Sequence, residues 1–311
     1  MLTIDDIQEV LVIGAGTMGQ EIALQCAMHG YPVVLYDIAP ASLEQAQART
    51  RYYLDQFQAA GHLTADAAAA IMVNIRMTGD AAAAAAQADL LCEAVPEDPQ
   101  LKCEILARFH ALCPEHTIFT TNTSFLLPSV MAQASGRPGQ FAALHFHLHV
   151  WDSNVVDIMP HPATDPATMT LLQAFARRIG QIPIVLTRES PGYVFNAMLG
   201  ALNYAALSMA ASNLTSIEDI DRAWMGVMHT PIGPFGILDL VGLDTALDIT
   251  RHQASQPGAA PALQQHVQLL ETYVTRGWLG IKRGRGFYTY PNPAYRQPEF
   301  VGGQAHEPHR A

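Results

Sequence analysis

A glycine-rich segment near the start of the chain has the residue types and the spacing that bind phosphate groups. Gly14, Gly16 and Gly19 form a G-x-G-x-x-G run between the apolar run 10–13 and apolar residues at helical spacing. The first glycine permits a tight turn, the second lets the backbone approach a pyrophosphate, and the third lets helix and strand pack closely. The following helix directs unpaired amide groups at the phosphates. A glycine-rich turn without a nucleotide is the alternative, and this context disfavours it.

The residue that would select the cofactor is an aspartate at the end of the next apolar run. Asp37 follows the run 33–36, where its carboxylate would accept hydrogen bonds from both hydroxyls of an adenine ribose. A carboxylate at this place repels a 2′-phosphate, so the sequence favours NAD over NADP. Thr17 and Met18 complete the glycine-rich turn and belong to the predicted NAD site.

The composition is that of an acidic globular protein. Half of the 311 residues are apolar, and 17 basic against 28 acidic residues give a formal charge of −11. This balance disfavours nucleic-acid binding, which needs a basic footprint. No apolar run has the length of about 20 residues that crosses a membrane, and the N-terminus lacks the pattern of a secretory signal. We therefore expect a cytoplasmic protein without membrane contact, whose four cysteines are reduced.

Alternating strand-like and helix-like segments predict how the site is positioned. Strands are expected near residues 10–13, 33–36, 75–77, 90–94, 117–121, 141–146 and 182–186, and helices over 40–73 with a break at Gly61, 81–88 and 167–180. This alternation predicts an α/β fold, with a Rossmann-type, doubly wound and mostly parallel sheet over residues 1–188. Strand signals stop after Gly192, so residues 189–311 are predicted to form an all-helical C-terminal domain. Its long apolar helices, 193–211 and about 262–275, predict a homodimer.

From Glu93 onward, several motifs occur together in one order. They are Glu93-Ala94-Val95-Pro96-Glu97, Asn122-Thr123-Ser124, Leu144-His145-Phe146, Ser190-Pro191-Gly192-Tyr193, Asn196, Gly233-Pro234-Phe235 and Gly284-Arg285-Gly286-Phe287-Tyr288. With the glycine-rich turn, they make the chain resemble the L-3-hydroxyacyl-CoA dehydrogenase family over residues 8 to about 290, nearest to the bacterial 3-hydroxybutyryl-CoA dehydrogenase type. The resemblance implies a nucleotide domain followed by a helical domain that makes a dimer contact.

The resemblance also implies a role for each polar residue of these motifs. His145 would be the general base that removes the hydroxyl proton as hydride leaves for NAD, a task that needs a pKa near neutral. Asp157 stands where the family has a glutamate that contacts the far ring nitrogen, and aspartate is one methylene shorter. Ser124 and Asn196 would donate hydrogen bonds around the reacting oxygen. The remaining residues would bind the cofactor, with Glu97 and Lys102 lining its nicotinamide side and Asn122 beside them.

Each of these residues also has a structural interpretation. A histidine in an apolar strand is more often a core residue, Ser124 could cap a helix, and Asn196 could pair with backbone. Asp157 could be an ordinary solvated acid. His147 and His149 alternate with His145, a spacing that can bind a metal, but no further residues complete a familiar metal site and we expect none.

The chain departs from the family pattern beside the expected substrate. Leu148 and His149 stand in place of Asn-Pro, and only Arg49 and Arg51 lie near the segment 50–65, where family members that handle CoA place lysines. A CoA tail carries several phosphate charges that need partners. We therefore consider two substrates, a short L-3-hydroxyacyl-CoA such as 3-hydroxybutyryl-CoA, or a free 3-hydroxy acid such as L-gulonate or carnitine. A nucleotide-binding protein without catalysis, like the related lens crystallins, is a third interpretation.

Overall fold

The computed structural model of this protein describes residues 2–302, which divide into two compact units. The first unit ends at Phe195 and the second begins at Asn196. Residues 189–195, which the sequence analysis assigned to the second domain, lie within the first unit, and the boundary after residue 188 stays a prediction. Among the described residues, no helix combines the length and the apolar character needed to cross a membrane.

One eight-stranded sheet forms the centre of the first unit. Its strands are β1 (Val10–Ile13), β2 (Val33–Tyr36), β3 (Ile75–Thr78), β4 (Leu90–Glu93), β5 (Ile118–Thr121), β6 (Phe141–Phe146), β7 (Val155–Met159) and β8 (Ile182–Val185). They lie in the order β3-β2-β1-β4-β5-β6-β7-β8, and only β6 and β7 pair antiparallel. The order reverses at β1, which opens a crevice at the carboxyl ends of β1 and β4, where doubly wound sheets bind ligands. The predicted fold class is confirmed.

Helices connect these strands and bury both faces of the sheet. They are α1 (Thr17–Met28), α2 (Pro40–Ala59), α3 (Ala65–Val73), α4 (Ala81–Ala85), α5 (Pro99–His110), α6 (Pro128–Ala132) and α7 (Pro166–Arg178). Alternate residues of β1 pack into two separate apolar layers: Val10 and Val12 into the layer that holds α1 and α7, and Leu11 and Ile13 into the layer that holds α5. Burial on both faces is why these strands are continuous apolar runs.

β7 is the strand that the sequence analysis missed, because no strand was expected between residues 146 and 182. Asp157 interrupts the apolar run there, which weakens the strand pattern. In the structure Asp157 is nevertheless buried and lies directly opposite His145 in the antiparallel register of β6 and β7. The predicted break near Gly61 is confirmed, since α2 ends at Ala59 and Thr64 caps α3 with its side chain.

The second unit is helical, as expected. Its helices are α8 (Phe195–Ala211), α9 (Ile217–Met228), α10 (Pro234–Val241), α11 (Leu243–Ala254), α12 (Ala262–Val274) and α13 (Glu299–Gly302). Phe195, the first residue of α8, belongs to the first unit. An apolar cluster that includes Leu207, Phe235 and Leu270 forms its core. The composition of the last twenty or so residues, rich in Pro, Gly and His, predicts an irregular end of the chain, and residues 303–311 of this stretch lie outside the described residues.

Two buried carboxylates organise the sequence motifs of this second unit. Asp221 accepts hydrogen bonds from the backbone N–H groups of Phe235 and Gly236, at 2.8 and 3.0 Å, and so caps α10. Asp239 accepts from the backbone N–H groups of Phe287 and Tyr288, both at 2.8 Å. Burial raises the pKa of both carboxyl groups. The Gly-Pro-Phe and Gly-Arg-Gly-Phe-Tyr motifs are therefore backbone donors to two internal acids.

Candidate active site

The glycine-rich turn opens a cleft at the carboxyl edge of the sheet. Gly14 has a φ of +98°, and an added Cβ there would lie 2.6 Å from the carbonyl oxygen of Ala94. An added Cβ at Gly19 would overlap the carbonyl oxygen of Gly14, whereas at Gly16 it would meet nothing within 4 Å. The first and third glycines thus serve close packing, and the second leaves the open approach that a pyrophosphate needs.

The cleft has a volume of about 590 Å³, and its lining includes residues of the turn, Tyr36 and Asp37. Asp37 follows β2 as predicted, and its two oxygens accept hydrogen bonds from the backbone N–H groups of Ala15 at 2.8 Å and Ala39 at 2.9 Å. These contacts hold the carboxylate at the cleft. The shape of the turn, the space and the fixed anion all fit the adenosine half of NAD, and the contact of Asp37 with the ribose stays a prediction.

His145 is the next-to-last residue of β6, at the same edge of the sheet, and its two ring nitrogens face two different polar groups. Nε2 lies 3.2 Å from Oγ of Ser124, and Nδ1 lies 3.4 Å from Oδ2 of Asp157. The antiparallel pairing of residues 145 and 157 brings the two backbones together, which offsets the shorter aspartate side chain. A proton on Nδ1, held by the carboxylate, leaves Nε2 as the acceptor that a general base needs.

Burial sets the protonation of this pair. Burial lowers the pKa of His145 below its ordinary value, although the hydrogen bond and charge of Asp157 oppose that shift. Burial alone would raise the pKa of Asp157, but hydrogen bonds from His145 and His147 lower it to about 2. At neutral pH the carboxylate is therefore charged and the His145 ring is neutral, which is the state that can accept a proton.

His147 contacts the same oxygen of Asp157, which the sequence analysis did not anticipate. Its Nε2 lies 3.1 Å from Oδ2, closer than the ring of His145. The ligand-type atoms of these three residues lie within 4.8 Å of one another. Both nitrogen-to-oxygen distances are those of hydrogen bonds, so we assign no metal to the cluster, and the expectation of no metal stays a prediction. His149 points elsewhere, with Nδ1 3.9 Å from Glu21.

Tyr193 fixes the plane of the His145 ring. The two rings stack with their centroids 4.4 Å apart and an angle of 7° between their planes. The Tyr193 hydroxyl donates a hydrogen bond of 2.6 Å to the carbonyl oxygen of Thr123, the residue before Ser124. Tyr193 has a φ of 53° and follows Gly192 at 77°, so the Pro-Gly-Tyr turn is built to place this ring. The sequence showed the motif, but its spacing could not indicate the stack.

A buried ion pair supports the residues expected at the nicotinamide side. Nζ of Lys102 lies 2.8 Å from Glu93 and 3.3 Å from Glu97, and Lys102 is only 1% exposed. Its ammonium group thus lies beneath the cleft surface, and direct contact of Lys102 with the cofactor stays a prediction. Glu97 accepts hydrogen bonds from the Thr123 hydroxyl and the Ser124 backbone N–H. Burial would raise the pKa of Glu97, but the Thr123 hydroxyl, Lys102 and the backbone N–H of Phe125 lower it overall.

Two further predicted residues have different positions in the structure. Oδ1 of Asn122 accepts a hydrogen bond of 2.8 Å from the backbone N–H of Phe146, so Asn122 ties the end of β5 to the end of β6. Asn196 is the second residue of α8 and the first of the second unit. The roles of Asn122 in cofactor binding and of Asn196 at the reacting oxygen stay predictions.

The loop that departs from the family pattern is anchored to the helix that follows the glycine-rich turn. Glu21 of α1 is completely buried, and its Oε2 accepts a hydrogen bond of 2.7 Å from the backbone N–H of His149. Burial raises the pKa of Glu21. The ring of Trp151 packs against Tyr53 and Phe57 of α2, with centroids 4.6 and 5.3 Å apart. Aromatic rings therefore occupy the region in which family members that handle CoA place lysines.

Comparisons with known proteins agree with this geometry. The family model for the NAD binding domain of 3-hydroxyacyl-CoA dehydrogenase matches residues 9–190, and the model for the C-terminal domain of that enzyme matches residues 192–290. The chain is similar to a 3-hydroxybutyryl-CoA dehydrogenase of Bradyrhizobium diazoefficiens, with 32% identity over 91% of this chain and 96% of the relative.

Two solved structures extend the similarity. The structure of (S)-3-hydroxybutyryl-CoA dehydrogenase from Ralstonia eutropha is 30% identical, with a TM-score of 0.83, and covers 92% of this chain and 100% of its own. A diketoreductase structure that concerns the catalysis of dicarbonyl compounds is 38% identical, with a TM-score of 0.85, over 93% of this chain and 100% of its own. Both family models and these full-length similarities show that the chain belongs to the 3-hydroxyacyl-CoA dehydrogenase family, whose N-terminal domain binds NAD.

Proposed function

We propose that this protein reversibly oxidises a short L-3-hydroxyacyl-CoA, such as 3-hydroxybutyryl-CoA, to the 3-ketoacyl-CoA, with His145 as the general base. The observation that carries this proposal is the line of contacts from Ser124 through His145 to Asp157. It leaves a neutral, buried imidazole nitrogen beside a hydroxyl donor at the edge of the sheet that holds the cofactor cleft. Relatives named for this activity support the substrate.

Each residue of this line has one task in the reaction. Bound NAD supplies the acceptor for the hydride that leaves the carbinol carbon. Nε2 of His145 takes the hydroxyl proton, and the charge of Asp157 at Nδ1 stabilises the imidazolium that forms. The Ser124 hydroxyl is placed to donate a hydrogen bond to the reacting oxygen. In the reverse direction the protonated His145 returns the proton to the ketone oxygen.

The substitution His145→Gln tests the proposal. We expect turnover of acetoacetyl-CoA with NADH to fall by about 10²–10⁴-fold, the usual contribution of general-base catalysis. NADH binding, measured by fluorescence titration, should stay within about threefold, because the ring lies outside the glycine-rich turn. A loss of activity below about tenfold would contradict this mechanism. A wild-type protein that binds NADH and reduces no 3-keto compound would instead favour the non-catalytic interpretation.

A second candidate function keeps the chemistry and removes the CoA tail. Residues 52–75, which span most of the α2–α3 hairpin, contain no lysine or arginine. The aromatic contacts of Tyr53 and Phe57 with Trp151 occupy this region instead, and phosphate groups gain nothing from apolar rings. Similarity to a diketoreductase also favours a free dicarbonyl or 3-keto acid. Parallel assays with acetoacetyl-CoA and with free 3-keto acids and diketones separate the two candidates, since each predicts the higher kcat/KM for its own substrate.

A homodimer is the proposed assembly. The second unit exposes Val227 and Met228, which are 78% and 55% accessible, beside an apolar groove of about 340 Å³. The groove is lined by Leu202, Ala205, Ala206, Met209, Ile220, Ala223, Trp224, Val227, Met228 and Pro234. A second copy of the chain would remove this apolar surface from water. Light scattering coupled to size-exclusion chromatography tests the assembly, and Val227→Glu should shift a dimer toward monomer.

The cytoplasmic location expected from the sequence also stays a prediction. Its support is that all four cysteines are free thiols, as a reducing compartment would keep them. Fractionation of the native host would test it.

A further inference from the structure

Two imidazole rings share one carboxylate oxygen in the candidate active site. Nδ1 of His145 and Nε2 of His147 both lie at hydrogen-bond distance from Oδ2 of Asp157, at 3.4 and 3.1 Å. The other oxygen of Asp157 is buried and has no hydrogen-bond partner among the described residues. Both rings therefore compete for a single acceptor atom. We propose that His147 is a positioning residue that sets the basicity of His145 through the carboxylate they share.

Strand geometry produces this arrangement. Residues 145 and 147 are two positions apart, so their side chains lie on the same side of β6 and its extension. Asp157 is the direct cross-strand neighbour of His145 and the diagonal neighbour of His147. The rings of His145 and His147 meet edge to face, with centroids 4.9 Å apart. Neither ring can turn away without losing its contact with the carboxylate.

The packing around His147 keeps its donor nitrogen on Asp157. The ring contacts Phe195 edge to face at 5.3 Å, and the side chain is 14% exposed. Water can therefore reach the ring of His147, whereas the side chain of Asp157 is only 1% exposed. His147 is thus more accessible to water than the base and the carboxylate that it contacts.

Sharing weakens the support that Asp157 gives to His145. An acceptor oxygen that already holds one N–H stabilises a second, charged N–H less than a free carboxylate would. A positive charge on His147 also opposes a positive charge on His145, because the rings are in contact. The other ionisable groups that face His145 are Glu97, which favours its protonation, and Tyr193, whose pKa burial raises so that it stays neutral. None of these groups changes when His147 is replaced.

The experiment measures the pKa of His145 directly, by NMR titration of its ring nitrogens with EDTA present to exclude bound metal. The His145 signals are identified by their loss in His145→Gln. We expect His147→Phe to raise the pKa of His145 by about half a unit, because the Asp157 oxygen then accepts a hydrogen bond from His145 alone. His147→Gln keeps an N–H donor without a charge and should give a smaller rise. If His147 only packed against its neighbours, neither substitution would raise the pKa of His145.

Controls locate the coupling. In an Asp157→Asn background, His147→Phe should raise the pKa of His145 less than it does in the wild-type background, because only the direct repulsion between the two rings is then removed, as a double-mutant cycle measures. His116→Gln removes an exposed histidine just before β5, at the opposite edge of the sheet, and should leave the pKa of His145 unchanged. An unchanged or lower pKa in His147→Phe, or a rise that is equally large without the carboxylate, overturns the proposal.

The catalytic consequence rests on the proposed function, whereas the titration does not. In His147→Phe, the pH limit of ketone reduction should move to higher pH together with the NMR value, since reduction uses protonated His145. A shifted NMR titration in a protein without activity would reject the proposed function alone. An active variant with unshifted titration would reject the role of His147 alone.

Discussion

Lys102 and Glu93 form an ion pair that is almost completely removed from water, with Nζ 2.8 Å from Oε1 and side chains 1% and 0% exposed. Further contacts complete the pair: Lys102 also donates to the carbonyl oxygen of Val95, and the other oxygen of Glu93 accepts from the Thr121 hydroxyl. β4 and α5 are thereby joined directly beneath the residues that precede Ser124. This ion pair stabilises the buried structure beneath the candidate site.

Removing one partner of this pair should be costly. We expect Lys102→Met to lower the free energy of unfolding by about 3–5 kcal/mol, since it leaves the Glu93 charge buried without a cation. The matched control is Arg178→Met, which breaks the ion pair with Asp5 on the exposed surface and should lower the free energy of unfolding far less. Urea denaturation followed by circular dichroism measures both. Equal losses of unfolding free energy in the two variants would mean that the buried ion pair stabilises the protein no more than the surface pair does.

The activity should depend on pH with opposite sign in the two directions. Oxidation needs neutral His145, so its kcat/KM should rise with pH through the pKa of His145 and then level off. Because burial lowers that pKa, the midpoint should lie below the ordinary histidine value of about 6.5. Ketone reduction needs the protonated ring and should decline over the same interval. Initial rates from pH 5 to 9 check this, and a midpoint above the ordinary value would contradict the burial argument.

The cofactor preference should reside largely in one carboxylate. Asp37→Asn keeps an acceptor oxygen for the backbone N–H of Ala15 or Ala39 and removes the charge that repels a 2′-phosphate. We expect the ratio of kcat/KM for NADPH to that for NADH to rise by about tenfold, or 1.4 kcal/mol. Asp55→Asn removes the same charge from an exposed position on α2 and should leave the ratio unchanged. If both variants raised the ratio equally, only net charge would matter.

The internal acids of the second unit should be essential for its stability. Asp239→Asn places an amide group toward the backbone N–H groups of Phe287 and Tyr288, which leaves at least one buried donor unpaired. A cost of about 1–3 kcal/mol is expected. Asp248→Asn, on the exposed side of α11 with its side chain 80% accessible, should change stability by less than about 0.5 kcal/mol. Thermal unfolding of both variants provides the comparison.

The sequence predicted best what depends on neighbouring residues. The glycine-rich turn is local, so the spacing of Gly14, Gly16 and Gly19 indicated both the strand before it and the helix after it. The sequence placed Asp37 at the end of β2 for the same reason. The contact between His145 and Asp157 could be predicted only from the family resemblance. The two residues are twelve positions apart in the chain with a loop between them, and only strand pairing brings their side chains together.

What the sequence could not predict depends on tertiary contacts. β7 contains an acid within an apolar run, and only its partner His145 explains why that acid is buried. The sequence predicts Lys102 at the cofactor surface, and only its ion pair with Glu93 explains why the side chain is buried. The stack of Tyr193 on His145 joins residues that lie far apart in the chain, at a turn whose backbone conformation no pattern of residue types specifies.

The register of β6 and β7 separates the geometry of proton transfer from the choice of substrate, two properties that enzymes often have to change together. Because His145 and Asp157 are opposite each other in a ladder of backbone hydrogen bonds, their geometry depends on the strands and not on residues 148–154, which follow His147 in the connection. The segment 148–154 can therefore vary in length or character and present a new surface to a substrate. The proton chemistry would stay the same while the choice of molecule changes, which makes this segment the place to redesign specificity.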